Sequence, residues 1–163
     1  MAQIYISVGS NIEPDKYIRS GTKALETIFG KLILSSIYQS EAVGFEGGDF
    51  LNSVVGATTD LSVAEVVEVL KTIEKNNGRK SNAIKFSSRT LDLDLLLYDD
   101  QICMHPVQLP RPEITYNAFV LWPMAEIAPE LIHPETHQDF QSMWEDYDKA
   151  SQNLKPIAFK WKN

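Results

Sequence analysis

Residues 89–97 read Arg89-Thr90-Leu91-Asp92-Leu93-Asp94-Leu95-Leu96-Leu97. Leucine alternating with aspartate has the period of two of a half-buried strand. That period puts Leu91, Leu93, Leu95 and Leu97 on one face, packed on helices, and Asp92 and Asp94 on the other. The strand is predicted over 90–98, with Asp99-Asp100 as its closing turn. Upstream, Ser62-Val63-Ala64-Glu65 is a capping box; Ser and Glu each satisfy the other's free backbone N–H and so start a helix. Val63, Val66, Val67, Leu70 and Ile73 form its apolar stripe, and Asn76-Asn77-Gly78 ends it. Further back come a strand over 49–59, a loop with Gly44, Gly47 and Gly48, and a β-prone run over 32–38. The chain opens with a strand over 3–8, in which Ile4, Ile6 and Val8 share a face, and a Gly9-Ser10-Asn11 turn. A helix follows: Pro14 suits its first turn, Tyr17, Ile18, Ala24, Leu25, Ile28 and Phe29 form its stripe, and Gly30 stops it. The order is βαββαβ, which predicts an α+β, ferredoxin-like core: an antiparallel sheet with both helices on one face.

Beyond residue 100, Pro106, Pro110, Pro112, Pro123, Pro129 and Pro134 break the chain into short pieces. Helical turns are expected near 117–127 and 138–150, and a closing strand with Trp161 packed on the core is expected over 155–163. This C-terminal elaboration belongs to one domain covering 1–163. The length supports a full hydrophobic core, and 44% hydrophobic with 23% charged residues is ordinary for a globular chain. No apolar run has bilayer length, and the N-terminus lacks a basic region followed by an apolar one, so a cytoplasmic protein with no membrane contact is expected. Cys103 is the only cysteine, which excludes a disulfide framework and a multi-cysteine metal site. The net charge of -7 argues against a nucleic-acid partner. Within 71–89, however, Lys71, Lys75, Arg79, Lys80, Lys85 and Arg89 face a single acid, Glu74. Such a patch suits one bound anion, and a solvated basic loop has the same composition.

Strand rise sets the Asp92 and Asp94 Cα atoms roughly 6.5–7 Å apart. Carboxylates so placed converge on hard cations about 3.5–4 Å apart, and Mg²⁺ is the natural one because it completes its shell with water and phosphate oxygens. A solvent-facing pair on an ordinary half-exposed strand also has this pattern, and D-x-D alone does not separate the two. Arg89 and the basic loop add the phosphate-binding half of a phosphoryl-transfer site. A palm-like metal-dependent nucleotidyltransferase shares these parts, but it needs a nucleic-acid track that the net charge does not provide.

The stretch 89–97 closely resembles the signature of the hydroxymethyldihydropterin pyrophosphokinases. Gly9-Ser10-Asn11, Phe50-Leu51-Asn52, Glu74 with Gly78-Arg79, and Phe119-Val120-Leu121-Trp122-Pro123 followed by Glu126-Ile127-Ala128-Pro129-Glu130-Leu131 resemble further motifs of that family, in the same order. The resemblance implies transfer of diphosphate from ATP to the hydroxymethyl group of 6-hydroxymethyl-7,8-dihydropterin, with AMP released, in folate biosynthesis. It implies two Mg²⁺ ions on Asp92 and Asp94, and Arg79 and Arg89 as the catalytic, triphosphate-binding arginines. ATP would also meet Lys71, Glu74, Leu95 and Arg111. The pterin would meet Ser40, Val43, Phe50, Asn52, Asp92 and Phe119. The polar loop 78–89 would act as a lid that brings Arg79 in.

Several positions depart from the family pattern. Ser81 stands where relatives carry a second loop arginine, Phe86 where they carry Trp, Arg111 where they carry His, and Asn117 where they carry Arg. Lys80 and Arg111 return part of the lost positive charge. The losses at 81 and 117 also fit a non-catalytic nucleotide- or pterin-binding homologue. His133-Pro134-Glu135-Thr136-His137 contains a proline and is not a helical zinc motif, so a surface turn is expected there.

Overall fold

The computed structural model describes residues 1–40, 49–78, 90–159 and 161. Strands β1 (Ala2–Ser10), β2 (Ile33–Leu34), β3 (Ile37–Ser40), β4 (Phe50–Thr59), β5 (Asp92–Tyr98) and β6 (Leu154–Ile157) form one sheet in the order β5-β1-β4-β3-β6, with β2 also on β4. Every pairing is antiparallel. The α+β architecture is the one expected from the βαββαβ order.

Helices α1 (Pro14–Phe29) and α2 (Val63–Asn76) cover one face. Ile4, Ile6 and Val8 of β1, Leu93 and Leu95 of β5, and Leu51, Val55 and Ala57 of β4 point into this layer, with Ile18 and Leu25 from α1 and all five stripe residues of α2. The α2 capping box forms as read: Glu65 N–H donates to Ser62 Oγ at 3.2 Å and Ser62 N–H to Glu65 Oε1 at 2.9 Å. Gly21 lets α1 approach the sheet, since a Cβ there would lie 2.8 Å from Leu91 Cδ2. Ile28, read on the α1 stripe, is 46% exposed and lies off the packed face.

The C-terminal half covers the opposite face. Helices α3 (Ala118–Ile127) and α4 (Phe140–Asp146) bury Val120, Leu121, Met124, Phe140 and Met143 against Tyr5, Val54, Leu96 and Leu97. Glu126 ties this layer to the sheet: it accepts from Ser36 N–H at 2.8 Å, Ser36 Oγ at 2.6 Å and Tyr38 OH at 2.8 Å. Tyr38, Trp122, Trp144 and Tyr147 continue as a run of neighbouring rings with centroids 4.8, 5.0 and 5.7 Å apart.

Two expectations about the strands change. The run over 32–38 splits into β2 and β3, because Val54 N–H donates to Ser35 Oγ at 2.9 Å where a ladder carbonyl would otherwise accept. Leu97 does not share the face of Leu91, Leu93 and Leu95. The β1–β5 register shifts between Tyr5 and Ile6, so Leu96 is an extra residue on β5, and Leu96 and Leu97 both enter the C-terminal layer. One inserted residue breaks the alternation of a strand in this way. In the closing segment, β6 pairs with β3, and Trp161 leans edge-on against Phe159 at 4.7 Å while remaining 38% exposed.

Candidate active site

The sheet face under α3 and α4 changes character along its strands. Directly opposed residues of an antiparallel pair share a face. At one end Tyr5, Val54, Leu96 and Leu97 are apolar and covered. Toward the other end, Asp94 lies opposite Ser7, and Asp92, Gly9, Asn52 and Tyr38 form a row across four strands. Ser40 lies opposite Phe50 one step further on. The aspartates therefore share the face of Asn52, Ser40 and Phe50.

Gly9 makes that row possible. A Cβ on it would sit 2.9 Å from Asn52 Oδ1, so the Asn52 amide lies over bare backbone between itself and Asp92. Asn52 Nδ2 donates to Ser40 Oγ at 3.2 Å. Phe119 is half-buried at the start of α3 and packs at the margin of the C-terminal layer.

Beside this face, the outer edge of β5 and the end of α2 enclose a cavity of about 230 Å³, whose lining includes Leu70, Lys71, Glu74, Asp92, Asp94 and Arg111. Glu74 is 8% exposed, and its Oε2 accepts from Leu93 N–H at 2.8 Å, satisfying a donor on an edge strand. Lys71 is largely exposed and 3.8 Å from Glu68. Arg111 is fixed by its backbone, donating N–H to Leu96 O at 3.0 Å. Its Nη2 is 3.1 Å from Asp94 Oδ1 and its Nε is 2.6 Å from Glu113 Oε2. Burial works against the guanidinium charge, but Asp94, Glu113 and Asp92 outweigh it and hold the pKa above the ordinary arginine value. A groove of about 420 Å³ between α1 and α2 is larger, but Glu68 is the only charged residue in its lining, so it lacks the groups for phosphate chemistry.

The donor set suits a hard cation. Among the described residues no group of three or more His, Cys, Asp and Glu side chains assembles. Mg²⁺ is usually held by only one or two carboxylates together with phosphate oxygens and water. Asp92 and Asp94, partly exposed on one face of one strand, fit that requirement.

Of the residues singled out in the sequence, the fold brings Ser40, Phe50, Asn52, Asp92 and Asp94 onto one face, and Lys71, Glu74, Leu95 and Arg111 around one cavity. Val43, Arg79 and Arg89, with Lys80, Ser81 and Phe86, lie outside the described residues. Arg111 reaches Asp94, whereas Asn117 is engaged elsewhere, its Oδ1 accepting from Gln152 Nε2 at 3.3 Å. Sequence reading missed Glu113, which holds Arg111, and Tyr38, which continues the Asn52 row onto β3. Tyr38 carries no local signal, because its row is visible only through strand register, and Glu113, only two residues after Arg111, meets it through the backbone turn at Pro112.

Comparison with known proteins gives the family and the fold. The sequence model of the 7,8-dihydro-6-hydroxymethylpterin-pyrophosphokinase (HPPK) family matches residues 5–129. The 2-amino-4-hydroxy-6-hydroxymethyldihydropteridine pyrophosphokinase of Aquifex aeolicus (strain VF5) is 36% identical over 161 residues, covering 97% of each chain. The protein of that name from Bacillus subtilis (strain 168) is 34% identical over 86% of this chain and 89% of its own. Among solved structures, an HPPK-DHPS in complex with substrates aligns with a TM-score of 0.72 at 13% identity over 92% of this chain. Plasmodium falciparum HPPK-DHPS with pterin and p-hydroxybenzoate aligns with a TM-score of 0.73 at 13% identity over 90% of this chain. This chain spans 44% and 43% of those two longer chains, and at such identity the likeness concerns the fold alone.

Proposed function

The chain belongs to the 7,8-dihydro-6-hydroxymethylpterin-pyrophosphokinase family, and from that membership we infer how its own residues perform the family's reaction. It is an ATP-dependent diphosphotransferase of folate biosynthesis: it transfers diphosphate from ATP to the hydroxymethyl group of 6-hydroxymethyl-7,8-dihydropterin. Moving two phosphoryl groups from ATP leaves AMP.

The observation that carries the residue assignment is the placement of Asp92 and Asp94 on the same sheet face as Asn52, beside a cavity that holds Arg111. We assign Asp92 and Asp94 as the ligands of two Mg²⁺ ions. Mg²⁺ held by these carboxylates would supply charge neutralisation at the phosphate oxygens. Arg111, Lys71 and, on sequence grounds, Arg79 and Arg89 bring positive charge to the triphosphate; the guanidinium fork binds phosphate in pairs of hydrogen bonds. Glu74 and Leu95 border the nucleotide. Asn52, held by Ser40, reads the polar edge of the pterin, and Phe50 and Phe119 offer ring faces to the heterocycle, with Val43 and Asp92 completing the pocket. Orientation and charge complementarity do most of the work in such a transfer, so no strong general base is assigned.

Residues 1–163 are proposed to act as one pyrophosphokinase domain, supported by two apolar layers sharing a single sheet. Among the described residues no helix is long and apolar enough to cross a membrane. A cytoplasmic setting without a nucleic-acid partner belongs to the same proposal, supported by the net charge of -7.

The test is AMP release from Mg-ATP, with and without 6-hydroxymethyl-7,8-dihydropterin, by wild type and Asp94→Ala. Pterin-dependent AMP release that falls at least about a hundredfold in the variant is expected from the loss of one charge-stabilising group. Full activity in Asp94→Ala would remove Asp94 from the metal site.

A further inference from the structure

Arg111 bridges two carboxylates. Its Nη2 pairs with Asp94 Oδ1 at 3.1 Å and its Nε with Glu113 Oε2 at 2.6 Å. Its backbone is pinned on both sides, by the bond from its N–H to Leu96 O and by Ile114 N–H donating to its carbonyl at 3.2 Å. The side chain is 28% exposed and borders the cavity. It therefore has room to swing while its attachment point stays in place. A guanidinium on Asp94 and a divalent cation on the same carboxylate repel each other at short range. Glu113 offers the guanidinium a second anchor, so the Nη groups can leave Asp94 without the charge losing all compensation.

We propose that Arg111 is an internal counter-cation on Asp94 that opposes metal binding until a triphosphate draws it away, so that this chain binds divalent cation and nucleotide in a coupled way. The proposal rests on the reading of Asp94 as a metal ligand. It makes Arg111 a positioning residue for the metal through Asp94, in addition to its contact with phosphate. Coupling of this kind is reciprocal: nucleotide tightens metal by the same factor as metal tightens nucleotide. Removing the guanidinium tightens metal in the free protein, weakens nucleotide, and shrinks that factor.

The test is Mn²⁺ titration of the full chain, followed by the electron paramagnetic resonance signal of the free ion, with and without a non-hydrolysable ATP analogue. The proteins are wild type, Arg111→Gln, Arg111→Lys and Asp94→Asn, each checked for folding by thermal unfolding. Without nucleotide, Arg111→Gln is expected to bind Mn²⁺ about tenfold more tightly than wild type, a change of about 1.4 kcal/mol. Arg111→Lys, which keeps the charge, stays near wild type, and the gain from Arg111→Gln narrows once the analogue is bound. Arg111→Met repeats the comparison if the glutamine variant does not fold. Equal or weaker Mn²⁺ binding in the neutral variants, with Asp94→Asn having lost the ion, overturns the role of Arg111 and leaves the metal site standing. Wild-type Mn²⁺ affinity in Asp94→Asn with the analogue present overturns the metal assignment and the counter-cation with it.

Discussion

Replacing Glu74 by alanine is expected to cost stability well before any effect on nucleotide is considered. The Glu74 side chain is buried near the end of α2 and accepts the Leu93 N–H of edge strand β5 at 2.8 Å. Alanine leaves that N–H inside the fold without its charged acceptor. Hydrogen bonds to charged groups contribute about 1.5–3 kcal/mol, and an orphaned buried donor costs about 1–3 kcal/mol. These are two descriptions of one loss, so about 2–3 kcal/mol is expected for Glu74→Ala. For a chain of this size each kcal/mol lowers the melting temperature by about 2–4 °C, giving a drop of roughly 4–12 °C. Glu74→Gln keeps an acceptor oxygen and loses only the charge, so about 1 kcal/mol and roughly 2–4 °C are expected. Differential scanning calorimetry measures both, and hydrogen exchange at the Leu93 amide locates the damage. Exchange at Leu93 should quicken strongly in the alanine variant and slightly in the glutamine variant. If both variants melt within about 2 °C of wild type, or if Leu93 exchange is unchanged, the edge bond does not stabilise β5 as argued.

Two further perturbations address other parts of the molecule. Gly9→Ala places a methyl 2.9 Å from Asn52 Oδ1 and displaces the amide from its bond to Ser40. A rise in pterin KM of about tenfold is expected, equivalent to losing one hydrogen bond, with ATP KM unchanged; a parallel rise in both would point to general distortion instead. His133 is 2% exposed, and its Nδ1 accepts from the N–H groups of Glu135 and Thr136 at 3.1 Å each. Burial, aided by the His137 charge and opposed by Glu135, holds its pKa below the usual value. The unfolded imidazole takes up a proton near pH 6.5 and the folded one only at lower pH, so this contribution to stability is complete above about pH 6.5 and declines as pH falls toward the folded value. Urea midpoints measured between about pH 5 and 7 should show a flatter slope in His133→Asn, and an unaltered slope would assign the pH dependence to other groups.

Much of the fold was readable because its devices are local. The capping box at Ser62 and Glu65, Pro14 and Gly30 at the ends of α1, and the alternation in β1 and β5 each announce an element within a few residues. The features missed depend on pairing partners. Nothing near Leu96 marks it as the extra residue, which appears only against Tyr5 and Ile6 of β1. Nothing near Ser35 shows that its hydroxyl will replace a ladder carbonyl and split the second strand. His133, expected on a surface turn, proves to be buried beneath that turn, with its ring 6.0 Å from Phe140. The site divides in the same way. Residue type and spacing nominated Asp92 and Asp94, the family resemblance nominated Asn52, and register then placed them on one face. The ion pair between Arg111 and Asp94 joins residues separated by the whole 99–110 segment, and Glu126, singled out only as part of a motif, closes the C-terminal layer onto Ser36, 90 residues away, a contact the motif does not announce.

The extra residue in β5 makes this short strand two segments with independent phase. Before Leu96 the odd positions face α1 and α2; after it, Leu97 faces the opposite way. Deleting Leu96 would restore strict alternation with Leu97 still opposite Tyr5 in the layer formed by α3 and α4, while Asp92 and Asp94 kept their orientation. The acidic segment and the apolar anchor are thus separable modules in a seven-residue strand. Substitutions that tune the charge at 92 and 94 need no repacking at 96 and 97, and loss of the unpaired Leu96 leaves the register on either side of it in place.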